Sequence, residues 1–258
     1  MKCKVCENES HLLGEISFIK GHEKEDNINI PEGGEYIPYY KCTFCGFIFT
    51  TYFDQWSNDK FKKYIYNEAF FSQDMNKNGE EGIPAKPKDY SSSYLDGLKL
   101  EFFIRQFQSS GILKKEKTEL EILDFGSAGN PGDTAKAFID NGYKVTCYDP
   151  YTSGVHYEPL AGLFDVIYLV EVIEHCCDLD STLKLISGHL QGDGIVFLST
   201  NLQPYPPPDD VINHWYITPR TGHVSIFTFR SLVALFKKYQ INLINNQTIL
   251  VGRKAKNR

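Results

Sequence analysis

The chain has 258 residues, enough for one α/β domain with an appendage or for two small domains. A hydrophobic content of 41% with 23% charge fits a globular protein that buries a core, and a formal net charge of −6 argues against a nucleic-acid partner, whose phosphates call for a basic surface. No apolar run reaches the roughly 20 residues that span a bilayer and no signal peptide opens the chain, so a cytoplasmic location without a membrane partner is expected.

In that reducing compartment the seven cysteines are expected as thiols or metal ligands. Cys3-Lys-Val-Cys6 and Cys42-Thr-Phe-Cys45 are two CxxC units with 35 residues between them. Each CxxC turn points two sulfurs at one ion, and two turns supply the tetrahedral four-thiolate set that zinc prefers. With every position filled by sulfur, such a Zn2+ is structural and not catalytic. Gly46 suits the tight backbone of the second knuckle, and alternation at 39–42 and 47–50 predicts short strands of a zinc ribbon. The competing reading, a redox dithiol, lacks the helix that such a CxxC opens. His11 and His22 read as exposed loop residues between the knuckles. A ribbon can also bind nucleic acid, but 7–41 carries Glu7, Glu9, Glu15, Glu23, Glu25, Asp26, Glu32 and Glu35 against Lys20, Lys24 and Lys41.

An aromatic stretch follows (Tyr52, Phe53, Trp56, Phe61, Tyr64, Tyr66, Phe70, Phe71), with a short helix at 59–66, read as packing of the zinc module onto its neighbour. The charged, Pro- and Gly-bearing run 76–88 reads as a boundary. The domain expectation is therefore a zinc-binding head with its packing segment at 1–75, a flexible linker or lid at 76–94, and a ligand-binding domain at 95–258. Helix 93–109 carries Leu95, Leu98, Phe102, Phe103 and Phe107 on one face.

From Ile122 the chain alternates: strand 122–125, helix 133–141, strand 144–148, strand 165–169, helix 179–190, strand 194–199, helix 229–239, and strands at 241–245 and 248–252. That alternation implies a parallel sheet with helices on both faces, whose ligands sit beyond the carboxyl ends of the strands. At those ends stand Asp124 with Gly126 and Gly129, then Asp149, where a carboxylate can hold two ribose hydroxyls, then Glu171, Glu174 and His175. The densest reactive cluster is His214-Trp-Tyr-Ile-Thr-Pro-Arg-Thr-Gly-His223. Cys147, Cys176 and Cys177 lack partner spacing and read as core thiols.

Leu123-Asp-Phe-Gly-Ser-Ala-Gly129, Tyr148-Asp-Pro150 and Phe164-Asp-Val-Ile-Tyr-Leu-Val-Glu-Val-Ile-Glu-His175 resemble the signature segments of class I S-adenosylmethionine-dependent methyltransferases, over roughly 95–252. The G-x-G-x-x-G fingerprint of hydride-transferring enzymes does not fit Gly126-Ser-Ala-Gly-Asn-Pro-Gly132. The resemblance implies a Rossmann-like, mostly parallel sheet preceded by a small zinc-ribbon subdomain. It further implies S-adenosylmethionine held by Asp124, Gly126, Ser127, Gly129, Asp149, Glu171 and His175. Two departures stand out: Ala128 replaces a usual glycine before Asn130-Pro131, and 15 residues between Asp149 and Asp165 are too few for the usual helix and strand. The adenine contact is left to Tyr157 or Glu158.

The zinc head is similar to that of bacterial small-molecule methyltransferases of capsule (including capsular phosphoramidate), sugar and secondary-metabolite pathways. This implies methylation of a small polar acceptor, at oxygen, with His214 or His223 as general base, Tyr216 in the same catalytic cluster, and Arg220 holding an anionic or phosphorylated group. Two alternatives stand beside it: a sugar C-methyltransferase, and a non-catalytic zinc-ribbon module on a degenerate methyltransferase scaffold.

Overall fold

The computed structural model describes residues 1–23, 28–67, 91–151, 160–245 and 249–255. Tyr157 and Glu158, Phe70 and Phe71, and the linker positions 76–90 lie outside the described residues. The chain splits into two compact units that interleave in sequence: Met1–Asn76, Glu171–Leu183 and Thr200–Tyr239 form one, and Lys77–Val170, Lys184–Ser199 and Gln240–Arg258 the other. The sequence had suggested a division near residues 76–94 alone.

The first unit is built on a four-stranded sheet, β1 (Ser10–Ser17), β2 (Tyr36–Cys42), β3 (Ile48–Phe49) and β8 (Ser225–Ile226), in the order β1-β2-β3-β8, with each neighbouring pair antiparallel. Strand β1 was expected as loop. Its register against β2 slips between Leu12 and Gly14, which breaks the alternation that marks a strand in sequence. His11, on this strand, is exposed. Helix α1 (Asn58–Tyr64) starts at Ser57, whose hydroxyl accepts from the Lys60 N–H. Phe53, Trp56, Phe61 and Tyr64 form a ladder of ring contacts at 4.7 to 6.2 Å, so the aromatic stretch is a packing cluster.

The second unit holds a six-stranded sheet in the order β5-β4-β6-β7-β10-β9, from β4 (Glu121–Phe125), β5 (Lys144–Tyr148), β6 (Phe164–Val170), β7 (Leu190–Ser199), β9 (Ile241–Asn245) and β10 (Leu250–Lys254). The first four run parallel, while β10 is antiparallel to both β7 and β9. β6 is buried along Phe164–Leu169, as its unbroken apolar run predicts for a central strand covered on both faces. Helices α2 (Ser92–Ser109) and α3 (Asp133–Asp140) cover one face, with Leu100, Ile104 and Phe138 packed on Ile122, Val166, Tyr168, Ile195 and Phe197. Gly97 of α2 lies so near α3 that a Cβ there would fall 2.6 Å from the Thr134 carbonyl oxygen. Among the described residues no strand lies between Asp149 and Phe164, in line with the short spacing noted in the sequence.

Helix α4 spans Leu179–His189, and α5 spans Phe229–Lys237. Thr228 caps α5 through a reciprocal bond with Ser231, and Leu232, Leu235 and Phe236 are buried at helical spacing. Among the described residues no helix is long and apolar enough to cross a membrane.

Candidate active-site residues and metal centre

In the second unit, β4 ends in a turn whose backbone is set by the next strand. The N–H groups of Gly126 and Ser127 both donate to the Tyr148 carbonyl oxygen, at 2.8 and 3.2 Å. Gly126 takes φ 86° and Ala128 φ 51°, so Ala128 holds a left-handed conformation that glycine adopts at no steric penalty. Asp149 stabilises it: Oδ2 accepts the Ala128 N–H at 2.9 Å, and Oδ1 accepts the Tyr151 N–H at 2.7 Å. The Ser127 hydroxyl donates to the Gly129 carbonyl. At Gly132 a Cβ would fall 2.0 Å from the Ser127 carbonyl oxygen, so only glycine fits before α3 begins.

Asp124 is 4% exposed, and burial pushes its carboxyl up to about 7, with Tyr168 and Ser127 pulling the other way. Its Oδ2 has no hydrogen-bond partner among the described residues. A buried, unsatisfied acceptor beside a glycine turn fits a ligand carrying an ammonium group, as the amino-acid part of S-adenosylmethionine does. Thus Asp124, Gly126, Ser127, Gly129 and Asp149 are gathered in one loop system. Glu171 and His175, assigned with them from the sequence, fall within the other compact unit.

There, Glu171 follows β6 with φ 52°, and a 3-10 turn covers Ile173–His175. The Val224 N–H donates to the Glu174 carbonyl at 2.9 Å, which ties this turn to the segment carrying His223. Glu174 is fully buried, and its carboxyl is pushed up to about 8, first by burial and then by the nearby Glu171 charge. Thr200 Oγ1 donates to it at 3.0 Å, and the Tyr216 hydroxyl also bonds it. The same hydroxyl reaches Glu171 Oε2 at 2.8 Å, so Tyr216 joins an exposed and a buried carboxyl group. Burial and both carboxylates hold Tyr216 in its neutral form, well above the usual phenol range.

The histidines differ. His223 Nδ1 lies 2.8 Å from the Tyr216 carbonyl oxygen, and its ring packs on Tyr216 and, edge to face, on His175 at centroid distances of 4.2 and 4.9 Å. A carbonyl only accepts, so Nδ1 carries the proton and Nε2 the lone pair. His214 Nδ1 instead accepts the Tyr216 N–H at 3.4 Å, which leaves Nε2 as its protonated nitrogen. Burial drives His175 down to about 4, so its ring is neutral. Gly222, at φ 81°, leaves room for that ring: a Cβ there would come within 3.1 Å of His175 Nδ1.

Arg220 is 3% exposed and donates to the Ile65 carbonyl at 3.1 Å and to Asn67 Oδ1 at 3.2 Å. It thus pins the 3-10 turn Pro219–Thr221 to the end of α1. Thr200 and Asn201, whose amide approaches Glu171 at 3.4 Å, were not singled out from sequence as site residues. Their position directly after β7, at the carboxyl end of a parallel strand, was the available signal.

Cys3, Cys6, Cys42 and Cys45 converge with Sγ–Sγ distances of 3.5 to 3.7 Å. A tetrahedron with Zn–S bonds of about 2.3 Å has edges of about 3.8 Å, so the set fits zinc. The N–H groups of Val5, Phe44 and Cys45 point at these sulfurs from 3.4 Å. Glu7 and Gly46, each following its knuckle, take φ 62° and 75°. The Cys45 side chain hydrogen-bonds Cys3 and draws its thiol down to about 5, while that bond and burial push Cys45 up. Of the other cysteines, Cys147 is buried and Cys176 and Cys177 are half-buried.

The methyltransferase domain family matches residues 99–246, more than half of the chain. The ubiquinone biosynthesis O-methyltransferase of Rickettsia prowazekii (strain Madrid E) is 26% identical over 163 residues, covering 55% of this chain and 57% of the relative. Its counterpart in Rickettsia felis is likewise 26% identical, covering 59% of the relative. The chain therefore spans little more than half the length of these relatives. Among solved structures, S-adenosylmethionine-bound CalS10, an amino pentose methyltransferase from Micromonospora echinaspora, aligns at 13% identity and TM-score 0.42 over 64% of this chain and 92% of its own. With the glycine turn, Asp149 and the parallel strands inside the matched range, the chain belongs to the methyltransferase domain family.

Proposed function

We propose that this protein is an S-adenosylmethionine-dependent methyltransferase acting on a hydroxyl group of a small polar acceptor. The observation that carries the reading is the glycine turn between β4 and α3, locked to Asp149 inside the matched range. Asp124, Gly126, Ser127, Gly129 and Asp149 would hold the cofactor, which supplies an electrophilic methyl group on a sulfonium sulfur. The acceptor oxygen forms the new C–O bond, the C–S bond breaks, and the acceptor proton must leave. The Nε2 lone pair supports His223, in preference to His214, as the residue that takes this proton. Tyr216 is a positioning residue that fixes His223 through its carbonyl. The interior bonds of Arg220 support a structural role for it, so an anionic or phosphorylated acceptor would need other contacts. The four cysteines would hold a structural Zn2+.

Isothermal titration of the full chain with S-adenosylmethionine tests the cofactor, and transfer of labelled methyl groups to a panel of hydroxylated metabolites, sugars of bacterial capsules among them, tests the acceptor. No cofactor binding by zinc-loaded protein would sink the proposal.

A further inference from the structure

Glu174, His175 and His223 each offer one ligand atom, and these atoms all lie within 4.8 Å of one another. We infer that this trio binds one divalent first-row transition-metal ion, distinct from the four-cysteine centre. Two imidazoles and a carboxylate suit Zn2+, Fe2+, Co2+ or Mn2+ better than the all-oxygen cages of Ca2+ and Mg2+. Three equivalent donors on one ion at about 2.1 Å stand about 3.4–3.6 Å apart, so side-chain movements of less than about 1 Å close the set.

The surroundings carry the inference further than the spacing. Ligating histidines characteristically give their other ring N–H to a carbonyl or carboxylate, and His223 does so toward Tyr216, which makes Nε2 its ligand atom. Glu174 is oriented in the same way, by the hydroxyls of Thr200 and Tyr216. His175 has a buried Nδ1 with no hydrogen-bond partner of ordinary geometry among the described residues, a polar atom that a cation would satisfy. Glu171 shares the Tyr216 hydroxyl with Glu174 and stands outside the trio of ligand atoms.

Three protein ligands leave positions open for an oxygen donor, and a hydroxyl bound there loses its proton more readily. The ion would then take over the Nε2 lone pair, and the acceptor would be acidified by the metal in place of His223. This catalytic role rests on the methyl-transfer reading; the binding does not.

The test is equilibrium dialysis of the full chain, loaded with a single equivalent of zinc for the four cysteines, against Mn2+ and, separately, Co2+, with bound metal measured by mass spectrometry. One equivalent beyond the cysteine-bound zinc is expected. His175→Ala, His223→Ala and Glu174→Gln should each weaken binding by at least about tenfold, and Tyr216→Phe, which keeps every ligand, by about tenfold. Circular dichroism checks that the variants fold; should the ligand variants fail, Tyr216→Phe decides. No added equivalent of either metal in the parent protein, or undiminished affinity in the variants, overturns the inference. S-adenosylmethionine titration of the same sample keeps the two readings apart, since cofactor binding without the second metal removes only this one.

Discussion

The Nδ1–H of His223 donates to the backbone carbonyl of Tyr216 at 2.8 Å. The N–H of Tyr216 in turn points at Nδ1 of His214 at 3.4 Å, so one residue sets opposite tautomers in the two histidines. His223→Ala should therefore lower single-turnover methyl transfer by about 10²- to 10⁴-fold at unchanged cofactor affinity, the usual weight of a positioned base. His214→Ala should lower it by less than about tenfold. Equal losses in both variants would contradict the tautomer argument.

Asp149 accepts one backbone N–H on each oxygen, from Ala128 and from Tyr151. Asp149→Asn keeps the shape but turns one acceptor into a donor facing an N–H. A charged hydrogen bond contributes about 1.5–3 kcal/mol, so cofactor affinity should fall by roughly ten- to a hundredfold. Calorimetry reads this directly, and an unchanged Kd would dissociate Asp149 from the cofactor site.

Asp124 makes stability depend on pH. Burial raises its folded pKa from 3.8 to about 7, so the native state favours the neutral acid. That contribution is fully present below about pH 4 and is lost as pH rises through 7. Between pH 5 and 8 the parent protein should lose roughly 2–3 kcal/mol more than Asp124→Asn does. Urea unfolding at the two pH values checks the difference, and parallel curves would place Asp124 in a wetter setting.

Glu7 occupies, at φ 62°, the position that Gly46 fills at φ 75° in the other knuckle. An L-residue in this region costs roughly 1–2 kcal/mol, of which glycine's greater unfolded freedom offsets about 0.5–1. Glu7→Gly should therefore stabilise the protein by up to about 1 kcal/mol in chemical denaturation. Destabilisation would mean that the Glu7 side chain contributes a contact of its own.

The sulfur quartet predicts one tightly held zinc. Prolonged chelation should release it and abolish the near-ultraviolet dichroism of the aromatic ladder around Trp56, because structural zinc contributes about 10–16 kcal/mol to folding. Release without loss of that signal would show that the sheet of the first unit holds without metal.

The parts of the molecule that were legible in sequence are those governed by local rules. The apolar run of β6, the capped amphipathic α5 and the paired CxxC turns each announce themselves within a dozen residues. β8 was missed because two residues show no period; it exists only through pairing with β3. The glycine turn was legible, whereas the conformation of Ala128 was not, since it is imposed by Asp149 from 21 residues away. Arg220 illustrates the limit for site residues. A guanidinium among histidines reads as an anion clamp, yet its partners Ile65 and Asn67 lie far upstream in a segment that no motif connects to it.

The Thr228 hydroxyl donates to the Cys45 carbonyl at 2.7 Å, across 183 residues, two positions beyond β8. During synthesis the cysteine quartet is complete once residue 45 has emerged, but the strand and the cap that brace it come much later. At about 5–20 residues per second that interval lasts roughly 10–40 s. A zinc ion captured in that window would hold both knuckles together while the nascent chain waits for its sheet partner. Metal scarcity would then act first at the ribosome, as a defect of maturation, before it touched any reaction of the finished protein.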